Sequence, residues 1–289
     1  MINVDNRLLF AIPKKGRLFE QCMDYLKRIG LSFRKRDRHD IALCTNMDIA
    51  VVFLPADDIP LYIGSGRVDI GITGEDMVHE ADMENEVNVL LKLGFGQCTL
   101  SLAVPKDSGL KPEKFSGKSV VTSFPHLTRK YFEKINTANV KVKEVSGSVE
   151  IACAMGAADG ITDLVQTGDT IREAGLEVIA EIFPTEAVLL AKKNSRYENL
   201  IQVLKERMQG VIYADEYALI EYNVSRENLP VCEKITPGLK SPTIMPLEED
   251  GWVAVKSVIK KKNANQIMDD LKAAGANGIL VTSMQHCRV

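Results

Sequence analysis

The turn that follows Val165 combines hydroxyl, glycine and carboxylate groups in a way that would suit a phosphate. It consists of Thr167, Gly168, Asp169 and Thr170. Its backbone N–H groups, its two hydroxyls and the amino end of a predicted helix (Ile171–Ala174) would form an anion cradle, which Gly168 lets a ligand approach closely. The Asp169 carboxylate would repel a phosphate unless it points away or caps the helix. An ordinary N-cap with a tight turn fits the same residues, so both interpretations stay open here.

A second candidate is the basic loop that joins the first predicted strand (Leu8–Ile12) to the first predicted helix (Leu18–Ile29). Its residues are Lys14, Lys15, Gly16 and Arg17. Ligands of open α/β sheets bind beyond the carboxyl ends of the strands, and three cations around a glycine would suit a polyphosphate there. The residues alone fit a solvated basic loop equally well.

A third strand-to-helix turn contains two glycines. The residues that could approach a nucleotide there are Gly71, Thr73 and Gly74, although they could also serve only to begin a helix. The glycine spacing matches neither the dinucleotide-binding pattern nor the ordinary P-loop. The sequence therefore disfavours both of those enzyme classes.

Composition and spacing disfavour several other kinds of function. The 36 Lys and Arg residues nearly balance 39 Asp and Glu, and a net charge of −3 gives no sign of a nucleic-acid or membrane partner. The four histidines and six cysteines are scattered, which predicts neither a metal site formed by the protein nor a disulfide framework. No serine lies in a GxSxG motif. With no bilayer-spanning apolar run and no secretion signal, we expect a cytoplasmic protein.

Short apolar strands alternate with amphipathic helices, a rhythm that predicts an α/β fold with a mostly parallel sheet. A second lobe with the same rhythm begins near Cys98, and the cleft between two such lobes is a favoured ligand site. Farther along, Tyr197–Tyr222 predicts a long helix and Leu229–Pro246 a linker. The tail, Trp252–Val289, predicts a strand, a helix and a strand.

Six segments in order along the chain carry a family resemblance. The strongest is Glu150–Ile171, which reads EIACAMGAADGITDLVQTGDTI and contains the pattern DLVxTGxT. The other five are Pro13–Leu18, Gly71–Asp76, Leu93–Leu100, Thr122–Pro125 and Gly238–Thr243. Together they resemble the ATP phosphoribosyltransferase family over essentially the whole chain. Ile171 stands where the family has leucine or methionine, a mild departure.

The resemblance implies a two-lobed core of the type II periplasmic-binding-protein kind, followed by a ferredoxin-like α+β regulatory domain. Lobe I would comprise residues 1–97 and 186–217, lobe II residues 98–185, and the regulatory domain residues 218–289. Such a tail is typical of the long form of the family, whose members form homo-oligomers from dimer to hexamer and bind free histidine as a feedback inhibitor. Short-form members borrow a separate regulatory subunit instead.

The resemblance also implies the first reaction of histidine biosynthesis. N1 of the adenine of ATP would displace pyrophosphate at C1 of 5-phosphoribosyl pyrophosphate (PRPP), and Mg²⁺ would be held mainly by the substrate phosphates. The PRPP 5′-phosphate would bind to Thr167, Gly168, Asp169 and Thr170. The ribose hydroxyls would bind to Asp163.

On the nucleotide side, the implied ligands of ATP are Lys14, Lys15, Gly16, Arg17, Gly71, Thr73 and Gly74. The candidate catalytic residues are Asp163, Lys14 and Arg17. Free histidine would bind to Asn223, Leu239, Thr243 and Gly278, although the same tail could be a plain dimerisation surface.

Two other functions compete with the transferase. The lobes alone would permit a non-catalytic binding protein for a small anion or an amino acid, but the phosphate loop and the missing signal peptide weigh against it. A histidine sensor that has lost catalysis is the other alternative. The intact basic loop and the DLVxTGxT segment weigh against that interpretation.

Overall fold

Two mixed β-sheets and one antiparallel sheet form the framework of the protein in a computed structural model that describes residues 4–34, 39–147 and 149–288. The chain divides into two units, residues 1–202 and 203–289. Within the described ranges, the structure has no helix with the length and apolar character needed to cross a membrane.

In its described part, the first unit contains eleven strands and six complete α-helices. The strands are β1 (Leu8–Pro13), β2 (Ile41–Leu43), β3 (Ile49–Leu54), β4 (Ile70–Gly74), β5 (Val87–Lys92), β6 (Cys98–Pro105), β7 (Ser119–Thr122), β8 (Lys141–Glu144), β9 (Gly160–Val165), β10 (Leu176–Thr185) and β11 (Ala187–Lys192). The helices are α1 (Phe19–Arg28), α2 (Asp58–Gly64), α3 (Glu75–Glu80), α4 (Pro125–Lys134), α5 (Ile151–Ala154) and α6 (Asp169–Glu173).

The first sheet has the strand order β2-β3-β1-β4-β11-β5. Strand β1 pairs in parallel with β3 and β4, whereas β2, β11 and β5 join by antiparallel pairing. The prediction of a mostly parallel sheet is therefore wrong. A continuous apolar strand indicates burial on both faces but not direction, and β11 runs opposite to β4 because the chain re-enters this sheet from the second one.

The second sheet has the order β10-β6-β9-β7-β8. Strand β6 is antiparallel to both neighbours, and β7 is parallel to both of its own. We call the first sheet with α1–α3 lobe I and the second sheet with α4–α6 lobe II. The chain crosses from lobe I to lobe II between Lys92 and Cys98, and it returns between Thr185 and Ala187.

Helix α1 shows how the local sequence sets an element beside the candidate site. Its buried residues Cys22, Tyr25 and Leu26 recur at a helical spacing and face the sheet. Gly30 follows with a φ of +83°, a left-handed conformation that ends helices and favours glycine. The helix therefore begins directly after the basic loop and ends near the predicted position.

The second unit is built on one antiparallel sheet. Helix α7 (Glu198–Glu216) contains the boundary between the units, and the elements that follow are β12 (Tyr217–Ser225), α8 (Leu229–Ile235), β13 (Thr243–Pro246), β14 (Trp252–Lys260), α9 (Ala264–Ala273) and β15 (Asn277–Ser283). The strand order is β13-β14-β12-β15. A βαββαβ chain with this order is the ferredoxin-like arrangement, and its core lies between the sheet and the two helices.

Two predictions for this region are wrong. The long helix predicted over Tyr197–Tyr222 ends at Glu216, because burial alternates strictly along Tyr217–Ser225 with the period of a strand. The segment predicted as a linker, Leu229–Pro246, contains both α8 and β13, since a proline in the first turn of a helix is tolerated. The predicted strand, helix and strand of the tail are confirmed as β14, α9 and β15.

Candidate active site

The turn after β9 has the backbone of an anion cradle. Gly168 adopts a left-handed conformation with φ of +78°, and α6 begins at the next residue. Thr167, Asp169 and Thr170 are exposed, so the free amides at the start of α6 and the two hydroxyls can reach a ligand. The left-handed residue explains why glycine stands here.

Asp169 does not present an unpaired charge to this cradle. Its Oδ2 accepts a hydrogen bond from Thr167 Oγ1 at 2.5 Å, and its Oδ1 accepts one from Arg172 Nη2 at 2.5 Å. The Thr167 hydroxyl and then the Arg172 guanidinium hold the pKa of Asp169 below its usual value. Arg172 also donates to Thr167 O at 3.3 Å. Sequence reasoning missed this cation, although its place one turn after Gly168 was a usable signal.

Asp163 lies on β9 just before the cradle and is partly buried. Its Oδ1 accepts a hydrogen bond from the N–H of Leu164 at 2.8 Å. Burial raises the pKa of the Asp163 carboxyl, and the nearby charge of Glu150 raises it further, while the Leu164 N–H opposes the shift. The pKa of Asp163 therefore depends on the charge of Glu150 as well as on burial.

The basic loop follows the carboxyl end of β1, as the sequence predicts, and all four of its residues are exposed. Arg17 extends to the first crossing segment, where its Nη1 donates to Gly96 O at 2.5 Å. The charges of Arg17 and Asp163 both act on the pKa of the Cys98 thiol, which burial raises above all. The pKa of this thiol therefore responds to charges from both lobes.

The predicted strand-to-helix turn is not a turn, because Gly71, Thr73 and Gly74 lie within β4 and α3 begins at the next residue. This part of β4 is more tightly packed than a nucleotide contact requires. A Cβ added at Gly71 would lie 3.0 Å from Ala11 O and 3.0 Å from Ile59 Cγ2. The buried Thr73 hydroxyl donates to Ala56 O at 2.8 Å. Both residues serve the packing of the first sheet in this structure.

Asp76, in the first turn of α3, is a functional candidate that the sequence reasoning overlooked. It is 1% exposed, and its Oδ1 accepts a hydrogen bond from Thr185 Oγ1 at 2.7 Å. Among the described residues its Oδ2 meets no hydrogen-bond partner. Burial raises the pKa of Asp76, whereas Thr185 and then Arg17 lower it. A Cβ at Gly74 would collide with Asp76 Oδ1 at 2.0 Å, so Gly74 makes room for this carboxylate.

A cavity of about 600 Å³ opens beside the two crossing segments. Its lining includes Gln97 and Cys98 of the first crossing, Thr185 and Glu186 of the second, and Gln166 at the start of the phosphate loop. Ligand-sized space therefore adjoins the phosphate loop. In the described part of the chain, no three His, Cys, Asp or Glu side chains lie close enough together to hold a metal ion.

The residues implied for histidine lie in two places on the sheet of the second unit. A Cβ on Gly278 in β15 would lie 3.7 Å from Asn223 Nδ2 in β12, so these two are neighbours. Thr243 begins the opposite edge strand, β13, where it pairs with Lys256, and Leu239 is exposed in the turn before it. Three strand spacings, about 14 Å, separate the two edge strands. A single copy of this sheet therefore brings together Asn223 and Gly278, but not all four residues.

Comparisons with known proteins bear on the family and on the fold. The sequence profile described as ATP phosphoribosyltransferase matches residues 55–210, and the profile described as HisG, C-terminal domain, matches residues 214–286. An ATP phosphoribosyltransferase of Yarrowia lipolytica is 48% identical over 293 residues, which cover 99% of this chain and 98% of that protein. The chain belongs to the ATP phosphoribosyltransferase family. A relative of the same name from Saccharomyces cerevisiae is 42% identical over 294 residues, with the same coverage of both chains.

Membership in the ATP phosphoribosyltransferase family makes the chain a pentosyltransferase of the first step of histidine biosynthesis. The second profile match confirms that it resembles the long form. A solved ATP phosphoribosyl transferase (HisG:HisZ) complex from Thermotoga maritima aligns with a TM-score of 0.64 at 31% identity, covering 72% of this chain and 98% of that one. A solved structure of Tv2483 bound to L-arginine aligns with a TM-score of 0.50 at 10% identity over 71% and 85%, which shows a shared fold alone. The predicted two-lobed fold class is confirmed.

Proposed function

We propose that the cleft between lobes I and II binds PRPP and ATP and that the residues assigned from the sequence do the binding. The observation that carries this proposal is the exposed turn at Gly168, which opens α6 directly after a strand that bears Asp163. Thr167, Gly168, Asp169 and Thr170 hold the 5′-phosphate of PRPP, with Arg172 neutralising Asp169. Asp163 accepts hydrogen bonds from the ribose hydroxyls.

ATP binds on the lobe I side. Lys14, Lys15, Gly16 and Arg17 meet its phosphates or the pyrophosphate of PRPP. Arg17 also offers its guanidinium to substrate from the crossing segment, where Gly96 O orients it. Gly71, Thr73 and Gly74 support the nucleotide side of the cleft, because their close packing holds β4 in place.

The reaction needs positioning more than acid–base chemistry. The lone pair of adenine N1 forms a bond to C1 of PRPP, the bond from C1 to the pyrophosphate oxygen breaks, and the electron pair leaves on pyrophosphate. Holding N1 and C1 in line in the cleft lowers the entropic barrier. The Asp163 carboxylate stabilises the cationic, oxocarbenium-like centre electrostatically, while Lys14 and Arg17 stabilise the departing anion.

Mg²⁺ fits this donor set as an ion carried in by substrate. Asp163 offers carboxylate oxygens, which Mg²⁺ prefers, but among the described residues no three such groups lie close enough together to hold the ion. We therefore assign the ion to the substrate phosphates. When bound, it neutralises charge on the pyrophosphate.

The second unit is proposed to sense free histidine. Asn223 and Gly278 form one part of that site, and Leu239 and Thr243 form another. We also propose a homo-oligomer from dimer to hexamer and a cytoplasmic location. Lobe I comprises residues 1–97 and 186–217, lobe II comprises residues 98–185, and the regulatory domain comprises residues 218–289 in this proposal. An inhibitor that binds the tail and lowers activity in the cleft requires a coupling between the two sites.

One assay tests the proposed function. The protein is mixed with ATP, PRPP and Mg²⁺, and phosphoribosyl-ATP is followed in the ultraviolet with and without histidine. We expect product that histidine suppresses. Product that is insensitive to histidine would remove the sensing role, and folded protein that makes no product would refute the transfer.

A further inference from the structure

A carboxylate of lobe I caps a helix of lobe II. Glu80, the last residue of α3, accepts hydrogen bonds from the N–H groups of His126 at 2.8 Å and Leu127 at 2.9 Å. These are the first free amides of α4, because Pro125 has no N–H and the N-cap residue Phe124 makes no side-chain cap in the described structure. Both carboxylate oxygens of Glu80 are thus used on the positive end of this helix.

Weaker charge pairs surround this cap. Asp82 Oδ1 lies 3.3 Å from Lys130 Nζ and 3.6 Å from His126 Nε2. Glu84 Oε1 lies 3.8 Å from Lys130 Nζ and 2.7 Å from His79 Nδ1. Asp82 is 70% exposed and Lys130 is 46% exposed, so solvent screens the pairs that they form and those pairs contribute little. The pair of His79 and Glu84 lies within lobe I and does not link the lobes.

Glu80 differs from the exposed Asp82 and Lys130 because it is partly buried at the contact. Burial raises the pKa of Glu80, and the charge of Glu144 raises it further, whereas the two backbone N–H groups and His126 lower it. A partly desolvated carboxylate with two charge-assisted hydrogen bonds is the strongest polar contact among those that link α3 and α4 here.

The cap lies on an apolar contact between the same elements. Met77 of α3 packs against a cluster of lobe II that contains Leu100, Phe124 and Leu127. The ring of His79 lies 4.7 Å from that of Phe183, centroid to centroid. Helix α3 is therefore bound to lobe II along its length, although it begins directly after β4 of lobe I.

We propose that Glu80 is a positioning residue for the transfer reaction, an inference that rests on the proposed function. Its cap on α4 holds the two lobes at the angle at which the basic loop and the phosphate loop can bind ATP and PRPP together. Without the cap the lobes sample other angles, and the apparent affinity for substrate falls in proportion to the competent fraction.

The test combines a distance measurement with kinetics in the full-length protein. Nitroxide labels on unnatural ketone residues replace the exposed Gln21 of lobe I and Glu173 of lobe II. We expect one narrow distance distribution in the parent protein, a broad one in Glu80→Ala, and an intermediate one in Glu80→Gln, which keeps one acceptor oxygen. In unlabelled Glu80→Ala, the KM for PRPP should rise about tenfold while kcat changes less than about threefold.

The control is Glu133→Gln, which removes a carboxylate from an exposed position on α4 itself. An unchanged distance distribution and unchanged KM in folded Glu80→Ala would overturn the proposal. If Glu80→Ala does not fold, an unchanged distance distribution and an unchanged KM in Glu80→Gln would overturn the proposal. The distance measurement does not depend on turnover. Folded protein without transferase activity would refute the proposed function, and the distance distributions would still decide whether the Glu80 cap holds the two lobes at one angle.

Discussion

At the scale of single residues, the candidate phosphate loop is a balance of charges around one glycine. Gly168 sits at a φ that strains other residues, and a Cβ there would lie 3.1 Å from Arg172 Nη1. Arg172 in turn pairs with Asp169. The exposed turn therefore offers backbone amides and the Thr170 hydroxyl to an anion, and its one carboxylate is already paired with Thr167 and Arg172. This pairing removes the objection that Asp169 raised in the sequence.

We predict that Thr167→Val weakens PRPP use. The variant removes a hydroxyl that donates to Asp169 in this structure and that we expect to turn to the 5′-phosphate when PRPP binds. A hydrogen bond to a charged group contributes about 1.5–3 kcal/mol, or roughly 10–100-fold in kcat/KM for PRPP. The measurement is the initial rate at varied PRPP. Thr45→Val is the control, because Thr45 is exposed and precedes β3 of the first sheet, whereas the phosphate loop follows β9 of the second sheet. Equal losses in both variants would contradict the assignment.

We predict that Glu150→Gln moves the acidic limb of the kcat/KM profile for PRPP to lower pH. Asp163 must be ionised to accept from the ribose hydroxyls, and its pKa is raised by burial and by the Glu150 charge. Activity therefore falls as pH decreases through that raised pKa. Removing the Glu150 charge lowers the pKa. The exposed Glu173→Gln is the control, and a limb that stays in place or moves to higher pH would count against this role.

At the scale of elements, the site depends on strand ends that are locked by packing. Strand β4 carries Gly71 near its start, where this glycine lies against Ala11 of β1 and Ile59 and Ile63 of α2. The same strand then makes room at Gly74 for the buried Asp76. These glycines hold the candidate nucleotide side in position through backbone and side-chain packing.

We predict that Gly71→Ala lowers the free energy of unfolding by about 1–3 kcal/mol, because the added methyl group overpacks a site walled by backbone and branched side chains. Gly64→Ala is the matched comparison. Its new Cβ would meet mainly the flexible Met83 Sδ, at 2.9 Å, and alanine is favoured over glycine in a helix, so we expect a smaller loss. Urea unfolding of both variants checks the order, and the reverse order would refute the packing argument.

At the scale of the whole molecule, the chain carries two separate kinds of sheet. The first unit uses two mixed sheets joined by two crossing segments, and the second uses one antiparallel sheet with helices on one face. A candidate cleft lies in the first unit and a candidate sensor in the second. Histidine can therefore be tested at residues that no part of the proposed chemistry uses.

We predict that Asn223→Ala raises the histidine concentration needed for half inhibition by about tenfold. The variant removes from the site a side-chain amide that lies beside Gly278 and can hydrogen-bond to histidine. Turnover without histidine should stay the same. Inhibition curves of the variant and of Gln266→Ala, on the exposed side of α9, check this expectation. Unaltered inhibition in Asn223→Ala would remove Asn223 from the site.

The sequence by itself determined the family, the alternation of strands and helices, and the positions of the basic and phosphate loops. Local signals carry these features. Apolar periodicity marks the elements, and glycine marks turns such as Gly168, which needs a left-handed backbone.

Only the tertiary structure decided which of these segments meet. Strand direction, the return of β11 to the first sheet, and the contact of Glu80 with α4 depend on residues far apart in the chain, which periodicity does not register. The partners of Asp76 and Asp169 became visible only with side chains in place, and so did the separation of Thr243 from Gly278. Hydrogen bonds and desolvation act through distance in space, so spacing along the chain predicted the candidates but not their pairing.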